Sequence, residues 1–236
     1  MIDLKLNSSA DLKREGKSFY WASFFLPKSY KKNAGILYSI CRYFDDIADK
    51  YSEDKTIFLK NSIEEIKNNK KNKVNIFLQK NKINNLIFID LIEGLVLDQN
   101  KIRIQNKEEL IKYSYHVAGT VGLMMSKIIG VKHEKAARSA IDLGIGMQLT
   151  NIARDVYEDS KMKRIYLPAN LIPDISLKNL TDLHNKSSET DERISNAIHK
   201  VIGLSDKFYE NGFAGLKYIP LSTRLGIFIA ANIYRV

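Results

Sequence analysis

Residues 45–49 read DDIAD and residues 151–159 read NIARDVYED, and both runs sit within otherwise apolar stretches. An α-helix turns about 100° per residue, so positions four apart share a face and lie about 6 Å from one another along the axis. Asp45 and Asp49 then point the same way, with Asp46 offset to the side. Asn151, Asp155 and Asp159 form a second stripe, with Gln148 one turn earlier and Arg154 and Glu158 beside it. Carboxylates on apolar helices are costly unless they are paired or bound to a cation. One reading is two exposed helix ends whose acids pair with nearby lysines and arginines. The other is a shared site, with the clusters facing each other across a bundle core and holding divalent cations through oxygen. Mg²⁺ suits the second arrangement, because it prefers carboxylate oxygen, keeps several waters and commonly joins protein acids to substrate phosphates.

Acids alone would repel a diphosphate, so cations are expected close by. Arg42 lies one turn before Asp45, and Lys163 and Arg164 follow the second cluster. Arg42 could equally be a structural partner of Asp45. The chain as a whole is basic, with a formal net charge of +10 over 236 residues. That excess suits an anionic partner such as a nucleic acid, an acidic membrane surface or a phosphorylated small molecule. A compositional bias towards Lys, Asn and Ile explains it as well. The run KNNKKNK has no interleaved aromatics, so it reads as a solvated turn or helix end rather than a nucleic-acid patch. Cys41 is the single cysteine, which excludes a disulfide framework and a cysteine zinc site. His116, His133, His184 and His199 show no metal-ligand spacing, and no G-x-G-x-x-G run is present. The start MIDLKLNSSADLKREGK lacks the apolar core of a secretory signal, and no stretch reaches the ~18 apolar residues of a membrane span. The expectation is a cytoplasmic protein.

The elements that must position these residues read as helical almost throughout. Hydrophobic residues make up 44% of the chain and charged residues 27%, enough for a sizeable core, and no convincing alternating strand run occurs. Helices are expected over about 33–50 after Pro27, within 54–80, and over 83–98, 107–129 and 134–159. A less regular segment follows, with Pro168 and Pro173, before helix returns near 190–211 and from about 222 onward. No repeat or linker divides the chain, so 1–236 reads as a single domain. Its last residues, RLGIFIAANIYRV, read as a helix in mid-course, which gives the expectation of a shortened C-terminus.

Four blocks, SFYWASFFLP, LYSICRYFDDIAD, YSYHVAGTVGLMM and GMQLTNIARDVYEDSKMKRIYLP, resemble the squalene/phytoene synthase family of head-to-head prenyl transferases. They occur in the family's order, and the third is similar to bacterial phytoene synthases. The resemblance implies the all-α isoprenoid synthase fold, a single helical bundle around a central cavity. It implies that Asp45, Asp49, Asp155 and Asp159 hold Mg²⁺ against two substrate diphosphates, with Asn151 and Gln148 lining that site. Tyr38, Arg42 and Arg154 match residues near the diphosphates, and Arg164 lies in the flap over them. Tyr113 matches a tyrosine implicated in proton handling, Ser18 and Phe19 the opening motif, and Tyr234 a late tyrosine near the cavity. The implied partners are prenyl diphosphates, with peripheral membrane contact reasonable for greasy substrates and no nucleic acid. Oligomeric state is not readable.

Plainer readings stand beside these. Tyr38 and Tyr113 could be core aromatics with satisfied hydroxyls, Gly119 and Gly122 could serve close helix packing or a local break, and Met124 and Met125 could be core filler. The implied reaction condenses two geranylgeranyl diphosphates to phytoene through a cyclopropyl diphosphate. The alternative uses farnesyl diphosphate to give presqualene diphosphate, dehydrosqualene or, with NADPH, squalene. A non-catalytic helical module and a basic nucleic-acid binder are the other classes, and intact acids in both clusters argue against each.

Overall fold

A computed structural model describes residues 17–49, 54–99, 102–182 and 187–235. Helix α1 (Lys17–Ser23) ends four residues before Pro27, and α2 (Lys28–Asp49) begins directly after it. Along α2, Leu37, Ile40, Phe44 and Ala48 recur at the three- and four-residue spacing of one helical face and are buried. That face turns Asp45 and Asp49 away from the packed interior. The run KNNKKNK is a turn between α3 (Lys55–Lys67) and α4 (Lys73–Lys80). Asn69 takes a positive φ of 49° there, and the Asn72 side chain caps α4 by accepting from the Asn75 N–H at 2.8 Å.

Helix α5 (Asn85–Leu97) is apolar on nearly all sides and buries Phe88, Ile89, Leu91, Ile92 and Leu95. The expected helix over 107–129 is present with a change of pitch. α6 (Lys107–Ser114) passes into a π-helical turn at Tyr115–Gly119 before α7 (Thr120–Ile128). Asp90 fastens that turn: the Tyr115 hydroxyl donates to its carboxylate and His116 Nδ1 to its carbonyl, both at 2.9 Å.

The expected helix over 134–159 is instead two, α8 (Ala136–Arg154) and α9 (Val156–Lys161), meeting at Asp155 with φ −101° and ψ 19°. Neighbouring side chains on a regular helix diverge by about 100°. Arg154 nevertheless grips Asp155 through two bonds of 2.6 Å, and the backbone leaves helical geometry at that pair. The Asp155 N–H still bonds to the Asn151 carbonyl and the Asp159 N–H to that of Asp155, both at 2.8 Å, so the acidic stripe survives the break.

A short parallel pair, β1 (Ile102–Arg103) and β2 (Arg164–Ile165), interrupts the helical pattern. Two residues per strand are too few to leave an alternating signature in a sequence. The pair ties the irregular segment after α9 to the chain leaving α5, helped by bonds from the Ala169 N–H to the Ile104 carbonyl and from Arg103 Nη2 to the Ile172 carbonyl, both 2.8 Å. The chain then continues through α10 (Leu177–Thr181), the 27-residue α11 (Ser188–Ala214) and, after Pro220, α12 (Leu221–Arg235). Among the described residues no helix is long and apolar enough to cross a membrane.

Two hydrophobic clusters build the bundle. One joins α2–α5 with α7 through Phe44, Leu59, Phe88 and Met124; the other joins α6, α8, the β2 segment and α11 through Leu110, Leu149, Leu167 and Val201. Helix α8 crosses α7 and the preceding π-helical turn so closely that a Cβ on Gly122 would collide with the Ala140 carbonyl oxygen, and one on Gly144 with that of Ala118. Close packing, rather than a break, is thus the role of Gly122. Met124 is fully buried core, whereas Met125 also borders the central cavity described below. Gly144→Ala should force the helices apart and cost about 1–3 kcal/mol, the usual scale of overpacking. Urea denaturation measures it, and an unchanged midpoint would mean that the crossing tolerates separation.

Candidate active site

A cavity of about 440 Å³ runs between the two clusters, walled by α1, α2, α7, α8 and α12. Most of its lining is apolar or small, including Leu37, Val121, Met125, Gly144 and Ile227. Its polar residues include Arg42, Asp45, Asp98, Tyr113, Gln148 and Asn151. The wall is therefore apolar over most of its area, with its charged and polar side chains forming a minority of the lining.

Of the residues expected from sequence, Phe19, Tyr38, Arg42, Asp45, Tyr113, Gln148, Asn151 and Tyr234 border this cavity. The Phe19 ring packs between Tyr38 and Tyr234, with centroid distances of 6.2 and 5.1 Å. The Ser18 side chain and His184 lie outside the described residues. Asp49, Arg154, Asp155, Asp159 and Arg164 are not part of the cavity wall but carry the charge network around it.

Of the five aspartates in the two motifs, all but Asp159 have an arginine within an ion-pair distance among the described residues. Arg42 reaches Asp45 at 3.3 Å and Asp46 at 2.7 Å, and Arg154 holds Asp155. Arg164 Nη1 lies 2.9 Å from Asp49 Oδ1, its side chain only 12% exposed. This last pair joins the two acidic regions, because Arg164 sits in the strand that follows α9 while Asp49 ends α2. The exposed-helix-end reading is therefore half right: the acids are paired, but the pairs gather around a cavity. Arg42 is both a structural partner of Asp45 and a cation at the cavity.

Burial raises the Asp45 carboxyl to about 6, with the Asp49 charge adding to it. Although 46% of its side chain is open, it opens at the cavity, where protein surrounds it. Burial, and then Asp155, raises the Asp159 carboxyl to about 7. Asn151 Oδ1 is buried without a hydrogen-bond partner. Among the described residues no three His, Cys, Asp or Glu side chains are gathered closely enough to share one metal ion, so an ion would draw on one acid pair together with other oxygens. The Cys41 thiol, on the cavity wall, is pushed up to about 12 by burial and by Asp45 and stays protonated.

Two residues at the centre of the network were not singled out by sequence reasoning. Asp98 caps the C-terminus of α5, and Tyr166 follows Arg164 by two residues. Asp98 accepts hydrogen bonds from the hydroxyls of Tyr113 and Tyr166, each at 2.9 Å. The available signal for Asp98 was its place at the end of the apolar run LIEGLVLD, where the helix dipole disfavours an anion. Tyr113 is thus buried with a satisfied hydroxyl, and the residue also borders the cavity.

Comparison with known proteins fits this geometry. The family described as Squalene/phytoene synthase matches residues 12–236. A 15-cis-phytoene synthase of Enterobacter agglomerans is 30% identical over 240 residues, covering 93% of this chain and 79% of that protein. One from a Paracoccus species is 27% identical over 252 residues, covering 100% of this chain and 81% of its own. A crystal structure of a dehydrosqualene synthase superposes with a TM-score of 0.84 at 26% identity, covering 97% of this chain and 82% of that one. The bundle is an isoprenoid synthase fold and the molecule a prenyltransferase. More narrowly, the chain belongs to the squalene/phytoene synthase family.

The raised carboxyls have a consequence for stability. A carboxyl whose folded pKa lies above its unfolded value stabilises the fold fully at pH below the unfolded pKa, and that contribution is lost as pH rises through the folded one. Asp45 and Asp159 therefore withdraw stability from the metal-free protein between about pH 4 and pH 7. Asp159→Asn should raise the metal-free Tm at pH 8 and have little effect at pH 4. Scanning calorimetry at both values checks this, and a Tm lowered at pH 8 would show that the charged form is favoured by the fold.

Proposed function

We propose that the protein condenses two geranylgeranyl diphosphates head to head into phytoene, through a cyclopropyl diphosphate and with Mg²⁺, in carotenoid biosynthesis. The observation that carries this reading is an apolar cavity bordered by Arg42, Asp45, Gln148 and Asn151, with the Arg164–Asp49 pair joining the two acidic regions beside it. Such a space holds a prenyl chain in the apolar part and its diphosphate against the charges. Relatives named phytoene synthase support the C20 substrate.

The donor set fits Mg²⁺: four aspartates supply oxygen, and the buried Asn151 Oδ1 lacks a partner that an ion would provide. Asp45 and Asp49 would hold it on one side, and Asp155, Asp159 and Asn151 on the other. Bound Mg²⁺ supplies positive charge to the diphosphates and to the leaving group. Arg42, Arg154 and Arg164 add fixed cations, already oriented by their aspartate partners, which favour the departure of diphosphate from an allylic carbon. The apolar wall keeps water from the resulting cation. The second substrate's double bond then attacks it. Loss of a proton closes the cyclopropane, with Tyr113 at the cavity wall as the side chain placed to take part. A second ionisation, rearrangement and proton loss give the triene without a reductant.

A farnesyl diphosphate reading keeps every role above and is favoured by the likeness to a dehydrosqualene synthase. Incubation with Mg²⁺ and each diphosphate separately, without NADPH, should yield a C40 hydrocarbon from the C20 substrate and no C30 product. C30 product alone would move the assignment to the farnesyl pathway, and no product from either would remove the activity. EDTA should abolish turnover. Asp45→Ala and Asp155→Ala should each lower it at least about 10²-fold, the scale of removing one charge-stabilising group, with the helical circular-dichroism spectrum retained. Near-normal turnover in either variant would sink the diphosphate-site assignment.

A further inference from the structure

Asp98 breaks two local rules. It is a buried acid, and it sits at the C-terminus of α5, where the helix dipole disfavours negative charge. What surrounds it accounts for its presence. Its Oδ2 accepts from the Tyr113 hydroxyl and its Oδ1 from the Tyr166 hydroxyl, both at 2.9 Å. The two hydroxyl oxygens lie 3.1 Å apart, and the two rings stack with centroids 4.8 Å apart and planes 22° apart. Both carboxylate oxygens are thereby fixed by partners on separate elements, α6 and the segment after β2. The charged groups acting on Asp98 are Arg164 from β2, Asp45 and Asp49 from α2, and Asp159 from α9. Asp98 and Tyr113 both border the cavity.

We propose that Asp98 is the terminal proton acceptor of the ring-closing step, acting through Tyr113. This rests on the prenyl diphosphate reading above. A neutral phenol is a poor base, and burial together with the Asp98 charge holds Tyr113 in that neutral form. It can accept a proton from substrate only while giving up its own, and its hydroxyl already donates to Asp98. In the step, the electron pair of a C–H bond on C1 of the ionised substrate forms the last cyclopropane C–C bond and quenches the tertiary cation. The proton passes to the Tyr113 oxygen as the hydroxyl proton of Tyr113 passes to Asp98 Oδ2. Charge balances: one carbocation and one carboxylate become a neutral ring and a carboxylic acid. Tyr166, donating to the other oxygen, keeps Oδ2 turned towards Tyr113. Asp98 is a positioning and relay residue, separated from substrate by one hydroxyl.

Asp98→Asn keeps the shape and removes the basicity. It should slow formation of the cyclopropyl diphosphate by about 10²-fold or more, the range of general-base contributions, with KM unchanged. Substrate deuterated at C1 should then show a primary isotope effect larger than in the wild type, because proton removal becomes the slow event. Tyr166→Phe should shift the isotope effect in the same direction with a smaller loss of rate, and it provides the reading if Asp98→Asn does not fold. Wild-type ring-closing rates in Asp98→Asn would overturn the relay. So would a loss of rate with no change in isotope effect, or one matched by a rise in KM, which a structural role or diphosphate acting as base would produce. If the wild type makes neither a cyclopropyl diphosphate nor a hydrocarbon, the prenyl reading falls and takes the relay with it. Product from the wild type with an unimpaired Asp98→Asn removes the relay alone.

Discussion

Carboxylates gathered beside an apolar cavity repel one another and are only partly screened by water, so counter-charges or protons settle them. Asp45, Asp49 and Asp155 have counter-charges in Arg42, Arg164 and Arg154, and Asp45 and Asp159 show the unrelieved remainder as raised carboxyls. Much of the irregular structure serves this requirement. The break between α8 and α9 occurs where Arg154 turns onto Asp155, and the β1–β2 pair delivers Arg164 to Asp49 across a long stretch of sequence. Lys163, immediately before it, takes a positive φ of 63°, a strained conformation for a residue with a Cβ.

Helices and acids were legible in the sequence because both obey short-range rules. Leu37, Ile40, Phe44 and Ala48 mark one face of α2 by spacing alone, and the same spacing places Asp45 and Asp49 together away from it. The turn at KNNKKNK was legible because polar, Asn-rich runs stop helices, and Asn69 and Asn72 do so through φ and a cap. Resemblance to a family pointed to Tyr38 and Tyr234, which spacing did not, and both border the cavity.

What escaped depends on contacts between distant residues. Asp98 and Tyr166 are separated by 68 positions and Tyr113 and Tyr166 by 53, so no local pattern records that they share hydrogen bonds. The π-helical turn at Tyr115–Gly119 is similar: its fastening partner, Asp90, belongs to another helix. The same turn precedes the α7–α8 crossing, where Gly122 and Gly144 let two backbones nearly touch while themselves lining the cavity. Glycine type was visible; which carbonyl it approached was not.

The apolar wall and the charged network serve each other. Low polarity around an allylic cation keeps water from quenching it, and burial of the Arg164 side chain strengthens its contact with Asp49. In the proposed reaction the proton leaves a carbon held within this apolar wall. A base must then be supplied by the protein or by the departed diphosphate. In the relay proposed above, a buried acid held by two tyrosines meets that need, at the cost of a carboxylate where both burial and the helix dipole oppose one. The same desolvation that protects the reactive carbon thus raises the Asp98 carboxyl and so favours its holding a proton once transferred.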